Sequence, residues 1–361
     1  MKKKSGTFLN NAITYGMVIV AFVAVMILQK AGVLSRTMTG LLIPICAYIV
    51  MALSLNLTVG ISGELSLGHA GFMSVGAFTG AVVSACLANA GLENETLRLI
   101  FAMISGGITA AFAGVIIGIP VLRLQGDYLA IVTLAFGEII KNVMNCVYIA
   151  LDGNKLLFAF NEPIMQSQES LIAGNPFKML INGPQGAVKV NKISTFVMGF
   201  ALIMVALIVI LNLINSRSGR AIMALRDNRI AAESVGISVT KFKLMAFVIS
   251  ATLAGMAGTL FALNMTTVQP TKFNFDTSIL VLVFVVLGGI GSMRGSIIAA
   301  ALLTVLPEML RSFSDYRMFL YAIILIAVML ITYNEKIRRF IEQIKRRKAG
   351  IKQEARGRYH A

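Results

Sequence analysis

Ten apolar runs dominate this chain, near residues 11–28, 40–59, 66–88, 99–119, 128–150, 194–214, 244–263, 276–291, 296–310 and 318–333. A helix crosses the hydrocarbon core of a bilayer with about 20 mainly apolar residues, because no water is there to satisfy an open backbone. So many such runs in 361 residues predict an all-α integral membrane protein. The expected fold is one domain over 1–361, a polytopic bundle of about ten transmembrane helices. Composition agrees, with 57% apolar and 13% charged residues, where soluble chains carry roughly 45–50% and 25%. A disordered chain, a disulfide scaffold and an ordinary soluble enzyme are excluded. The stretch 276–310 is divided by Gly288-Gly289-Ile290-Gly291-Ser292-Met293-Arg294-Gly295. Its short halves form either one hairpin or a partly re-entrant element. A similar Gly-rich break, Gly60-Ile61-Ser62-Gly63-Glu64-Leu65-Ser66-Leu67-Gly68, joins the second and third runs.

The charge is strongly uneven. Lys and Arg number 32 against 16 Asp and Glu, a net of +16. Lys2, Lys3 and Lys4 carry +3, and residues 334–361 add +7 from ten basic and three acidic side chains. With ten spans and both termini in the cytoplasm, 21 of the 32 basic residues fall on the cytoplasmic face, as the positive-inside rule requires. No soluble basic domain exists to bind nucleic acid. The basic N-terminus is separated from its apolar run by polar residues, so an uncleaved first span is expected rather than a signal peptide. The same topology makes 151–193 a long extracytoplasmic loop, 215–243 a cytoplasmic loop and 334–361 a basic cytoplasmic tail. Ile337, Phe340, Ile341 and Ile344 recur at helical spacing in that tail. It either lies on anionic membrane lipid or is a solvated segment that fixes topology.

Catalytic and metal chemistry find little to work with. Cys46, Cys86 and Cys146 lie inside apolar runs without C-x-x-C spacing, and read as small buried hydrophobes. No metal site is expected. No G-x-x-x-x-G-K-[ST] loop is present, so the chain does not hydrolyse ATP itself. His69 is the one histidine of the body and has no neighbouring Asp to orient it. Glu138 sits mid-run, where a bare carboxylate costs roughly 2.5–3.5 kcal/mol. It either pairs with Lys141, three residues on, or lines a path or subunit contact. Asn56, Glu64 and His69 cluster around the first Gly-rich break and serve either a translocation path or packing and hydrogen bonding. Gly76-x-x-x-Gly80, Gly114-x-x-x-Gly118, Gly106-Gly107 and Gly255-x-x-Gly258 supply flat surface for close helix packing.

The basic loop 215–243 carries helix signals. Ser218 is a candidate cap for one short helix, Asp227 or Asn228 for a second, and Gly236 a terminator before Ser238 opens the next span. Two short capped helices make a compact knob. Small side chains at Ala231 and Ala232 would let a partner approach it closely.

This loop resembles the coupling segment of ABC importer permeases, whose loose pattern is E-A-A-x-x-x-G. Ala231-Ala232-Glu233-Ser234-Val235-Gly236 matches its A-A-x-x-x-G part, and Ile230 stands where the pattern has Glu. Four further stretches are similar to the LivM-type branched-chain amino acid permeases: Leu55 to Ala70, Gly126 to Ile140, Asn182-Gly183-Pro184-Gln185-Gly186, and Val286-Leu287-Gly288-Gly289-Ile290-Gly291-Ser292. The resemblance runs in order from about 40 to 312. It implies a multi-pass permease in a prokaryotic cytoplasmic membrane, working by alternating access. Its partners would be a second homologous permease, two cytoplasmic ATPases that hold the ATP and Mg, and an extracytoplasmic solute-binding protein. Arg226, Asp227 and Arg229 would then make polar contacts to an ATPase, Ala231 and Ala232 would seat the helix, and Gly236 would end it. On that reading Ala232→Arg leaves insertion intact and abolishes coupled ATP hydrolysis. Related permeases for urea or another small amide, and a stand-alone secondary transporter or channel, are the alternative readings.

Overall fold

The computed structural model describes residues 2–32, 35–124, 126–153, 155–165, 177–311 and 316–333. The expected tail 334–361 and part of the 151–193 loop lie outside them. Each of the ten apolar runs contains a helix. These are α1 (Lys2–Lys30), α2 (Arg36–Asn56), α3 (His69–Asn89), α4 (Glu95–Val121), α5 (Asp127–Cys146), α6 (Phe196–Asn215), α9 (Val239–Ala262), α10 (Phe275–Gly288), α11 (Met293–Met309) and α12 (Arg317–Tyr333). Two short helices, α7 (Arg217–Asp227) and α8 (Arg229–Ser234), fill the loop between α6 and α9. Among the described residues, seven helices are long and apolar enough to cross a membrane: α1 to α6 and α9. Helices α10, α11 and α12 hold 14, 17 and 17 residues. Residues up to Thr304 form one compact unit. Beyond it, α12 presents Phe319, Ile323, Ile326 and Leu330 on its surface.

The outer surface is apolar and large, and the closest helix contacts are made by small residues. Helix α4 exposes Leu97, Phe101, Ile104, Ile108, Phe112, Ile116 and Ile119, and buries Ala102, Gly106, Gly107, Ala110, Gly114 and Gly118 beside Leu99, Met103, Ile117 and Val121. Water would not tolerate that face; hydrocarbon does. With lipid outside there is little hydrophobic gain in burying a large apolar group, so helices meet closely where small residues allow backbone contact. Helix α9 packs against α2, α3 and α4 along such a surface. A Cβ at Gly76 would lie 2.1 Å from the Gly255 carbonyl oxygen, and Thr259 Oγ1 donates to the Gly76 carbonyl at 2.8 Å. Gly76, Gly106 and Gly255, one each from α3, α4 and α9, therefore meet, while the other glycines of these pairs admit Thr259, Met256, Ala251, Phe247 and Met73.

The all-α expectation needs one correction. The apolar run 128–150 is not a single span, because α5 ends at Cys146 and the chain continues as a strand. Strands β1 (Val147–Asp152), β2 (Lys155–Phe160) and β3 (Phe177–Asn182) form an antiparallel sheet in the order β2-β1-β3. Val147-Tyr148-Ile149 is β-branched and aromatic, which favours a pleated surface over a helix. Ala187 pairs in turn with Ile181 and Val268, tying the sheet to the segment after α9.

Candidate functional site

Helix α2 does not end in the usual way. After Asn56 it widens into a buried π turn, Leu57–Ser62, and stops at Gly63 in the left-handed region at φ 76°. Such turns are rare and concentrate at functional positions. Gly63 N–H and Glu64 N–H both still bond the Thr58 carbonyl, and residues 65–68 then run outside any helix to the start of α3. Non-helical backbone inside a membrane bundle must be satisfied by other protein groups, and side chains of two other helices supply bonds in and just after this stretch. Leu67 N donates to Thr133 Oγ1 of α5 at 3.1 Å, and Ala70 N to Ser278 Oγ of α10 at 3.1 Å. Glu64 forms an ion pair with Lys243 of α9, each side chain about 10% exposed.

His69 opens α3, fully enclosed, with Nε2 at 2.7 Å from Ser54 Oγ. Ser54 Oγ also lies 2.8 Å from the Met51 carbonyl, so it bridges His69 to the α2 backbone. Ser250 of α9 donates to the Ser54 carbonyl.

The two Gly-rich breaks meet. Asn56 is completely buried, donates to Ser296 Oγ at 2.9 Å and accepts from Gly291 N at 2.8 Å. A Cβ on Gly60 would lie 2.4 Å from Gly291 N, so glycine permits the contact. Gly288 and Gly295 also touch, which makes α10 and α11 a hairpin. Asn56, Glu64 and His69 thus all lie buried around the first break, each bonded to partners of its own. Glu138 does not join them. It pairs with Lys141 and accepts from Phe275 N at 3.3 Å, holding the start of α10.

The knob, α7 with α8, is folded on itself and bonded to the π turn. Ser216, not Ser218, caps α7. Its Oγ accepts from Gly219 N at 3.0 Å and donates to the Leu213 carbonyl at 2.6 Å, so one hydroxyl ends α6 and begins α7. Asn228 caps α8 by accepting from Ala231 N at 3.0 Å. Gly236, at φ 84°, ends α8; its N–H bonds Glu233 O and that of Ile237 bonds Ala232 O. Asn228→Ala should cost about 1 kcal/mol, read as faster amide exchange confined to 229–236.

The six knob residues divide. Arg226 turns inward, its Nη1 donating to the Gly60 carbonyl at 2.8 Å while Nε and Nη2 hold Asp227 Oδ1 at 3.1 and 3.0 Å. Arg229 pairs with Glu233 at 3.2 Å. Ala232 is buried among Leu225 and Val239 of its own chain. Ala232→Arg would therefore break the knob itself and does not isolate a partner contact. Ala231 is exposed, beside Ile230 at 81% and Val235 at 74%. Lys243, Ser54, Ser250 and Ser278 were not singled out from the sequence. Lys243 alone carried a signal, a charge at the start of an apolar run. Among the described residues no group of three or more His, Cys, Asp or Glu could hold a metal.

Spans that expose large apolar side chains, and broken helices whose polar groups meet inside, define a multi-pass membrane protein built as transport proteins are. Over residues 37–329 the chain matches the family described as "Branched-chain amino acid transport system / permease component", and it belongs to that family. It is 37% identical over 294 residues to the high-affinity branched-chain amino acid transport system permease protein LivM of Salmonella typhimurium, covering 78% of this chain and 66% of the relative. LivM of Escherichia coli is 38% identical over the same shares. The match thus spans slightly less than two thirds of the length of these relatives. The permease protein LivH of Salmonella typhimurium is 24% identical over 303 residues, 79% of this chain and 89% of the relative. No solved structure matches the chain significantly. It is a permease-family protein of the cell membrane.

Proposed function

We propose that this chain is one permease subunit of an ATP-driven importer that moves branched-chain amino acids across the cytoplasmic membrane by alternating access. It would work with a second permease, two cytoplasmic ATPases carrying ATP and Mg, and an extracytoplasmic solute-binding protein. Both termini lie in the cytoplasm and the three shorter helices complete ten membrane helices. The distribution of basic residues supports this orientation, since six of them lie in 215–243 and ten in the tail. The branched-chain substrate follows from the family description and from the LivM relatives.

One observation carries the reading. The knob offers Ile230, Ala231 and Val235 outward, while its other face is packed and capped by its own chain. A rigid, capped helix with exposed apolar side chains on a charged loop suits docking to a soluble subunit. Ile230→Asp should leave the purified chain folded, since Ile230 touches solvent, and should reduce recovery of the ATPases with the tagged chain by at least tenfold. Mass spectrometry of the affinity-purified complex reads this. Wild-type chain recovered without ATPases, in detergents that preserve known complexes, overturns the importer reading. Uptake of labelled leucine against labelled urea separates the two substrate classes.

A further inference from the structure

We propose that Arg226 and Asn56 are positioning residues that grip the π turn Leu57–Ser62 from two sides and pass movement of the α7–α8 knob to the α10–α11 hairpin. This rests on the importer reading above.

The path is short and made of direct contacts. Arg226 lies near the C-terminal end of α7, where the knob turns into α8. Its guanidinium reaches the Gly60 carbonyl at 2.8 Å, and its stem fills the space where Gly63 has no side chain. The bond is charge-assisted, which makes it stronger than a neutral one, although the Arg226 side chain keeps 38% of its surface exposed. From the π turn, Asn56 continues to Gly291 N at 2.8 Å and Ser296 Oγ at 2.9 Å. Gly60 itself packs close to the same point, where a Cβ would meet the Asn56 amide oxygen and the Gly291 backbone. Packed elements of this kind move as bodies, since interiors are close-packed and yield little.

On this proposal the π turn is the element that switches, its wider ladder returning to an α-helix by a shift of one residue; such turns are rare and concentrate at functional positions. Its far end is tied through Glu64 to Lys243 at the base of α9. A push on the knob therefore acts on α2, α9 and the hairpin at one point. Arg226 also holds exposed Asp227 through the same guanidinium. The sequence pattern would have assigned it to an ATPase surface; the geometry points it to its own chain.

The test uses the complete complex, purified with its ATPases and second permease and reconstituted with the loaded binding protein. Leucine moved per ATP hydrolysed is compared for wild type, Arg226→Met, Arg226→Lys and Asn56→Ser, alongside subunit stoichiometry, melting temperature and KM for the binding protein. Arg226→Met and Asn56→Ser should each lower leucine per ATP by about tenfold, inside the 5–150-fold range typical of coupling between sites. Subunit stoichiometry and KM should stay at wild-type values. Arg226→Lys keeps the charge and one donor to Gly60 and should fall between. A merely structural role would move the melting temperature and yield but leave the ratio intact, which overturns the proposal. Loss of the ATPases from the Arg226 variants also overturns it and makes Arg226 a docking residue. If Arg226→Met does not purify, an unchanged ratio in Arg226→Lys and Asn56→Ser together overturns it. A wild-type complex that forms no ATPase contact and moves no leucine defeats the importer reading itself.

Discussion

Gly76→Leu should abolish recovery of folded protein, and Gly76→Ala should lower the melting temperature sharply. In an exposed helix, glycine to alanine stabilises by up to about 1 kcal/mol. At Gly76 the added Cβ would stand 2.1 Å from Gly255 O and 2.4 Å from Gly255 Cα, both backbone atoms of α9. Neither can rotate away, so α3 and α9 must separate. Overpacking costs typically about 1–3 kcal/mol, and displacing two central helices puts the alanine variant at or above the top of that range. Separation would also break the Thr259 bond to the Gly76 carbonyl. Gly40→Ala is the matched control, because nothing lies within 4 Å of its Cβ position and its φ is ordinary. The chain has no tryptophan, so a thiol-reactive dye reporting exposure of buried Cys46 on heating is a suitable readout. A Gly76→Ala protein that melts with wild type would show that α3 and α9 do not pack as described.

Lys243→Met should destabilise by about 3–5 kcal/mol, the usual loss when one member of a buried ion pair is removed. Glu64 would be left enclosed without its counter-charge, and residues 63–68 would lose their tie to α9. Glu64→Gln alone should cost less, since an amide needs less compensation than a carboxylate. The double variant should recover most of the loss, because neither charge then remains. Melting midpoints of the four proteins give the interaction directly as a double-mutant cycle. Additive losses would mean that the two side chains do not form a pair in the membrane-embedded protein. The pair matters for function because it anchors the far end of the same π turn that Arg226 grips.

Local rules carried much of this molecule. The expected run 99–119 became Glu95–Val121, and 194–214 became Phe196–Asn215. The Gly-rich division at 288–295 did separate two helices. The knob was legible because caps and terminators are local chemistry, as at Asn228 and Gly236. Ser216 and Ser218 are equally able caps in isolation. The choice fell to Ser216 because its hydroxyl can also satisfy the last turn of α6, and because Gly219 lets the backbone pass close to Leu213 O. The strand at 147–152 was hidden inside an apolar run, where helix and strand look alike until pairing partners are known.

What the sequence determined alone was the class of protein: spans, their approximate ends, the capped knob and the family motifs. Hydrocarbon demands long apolar runs with internally bonded backbone, and that demand acts segment by segment. Tertiary structure alone decided which breaks meet and which way each polar side chain turns. Asn56 and Gly291 stand 235 positions apart, and Arg226 and Gly60 stand 166 apart. No local rule assigns such partners, since they follow from how small-residue surfaces bring helices into register. That is why Glu138 proved to hold a helix start, and why Arg226 reaches inward.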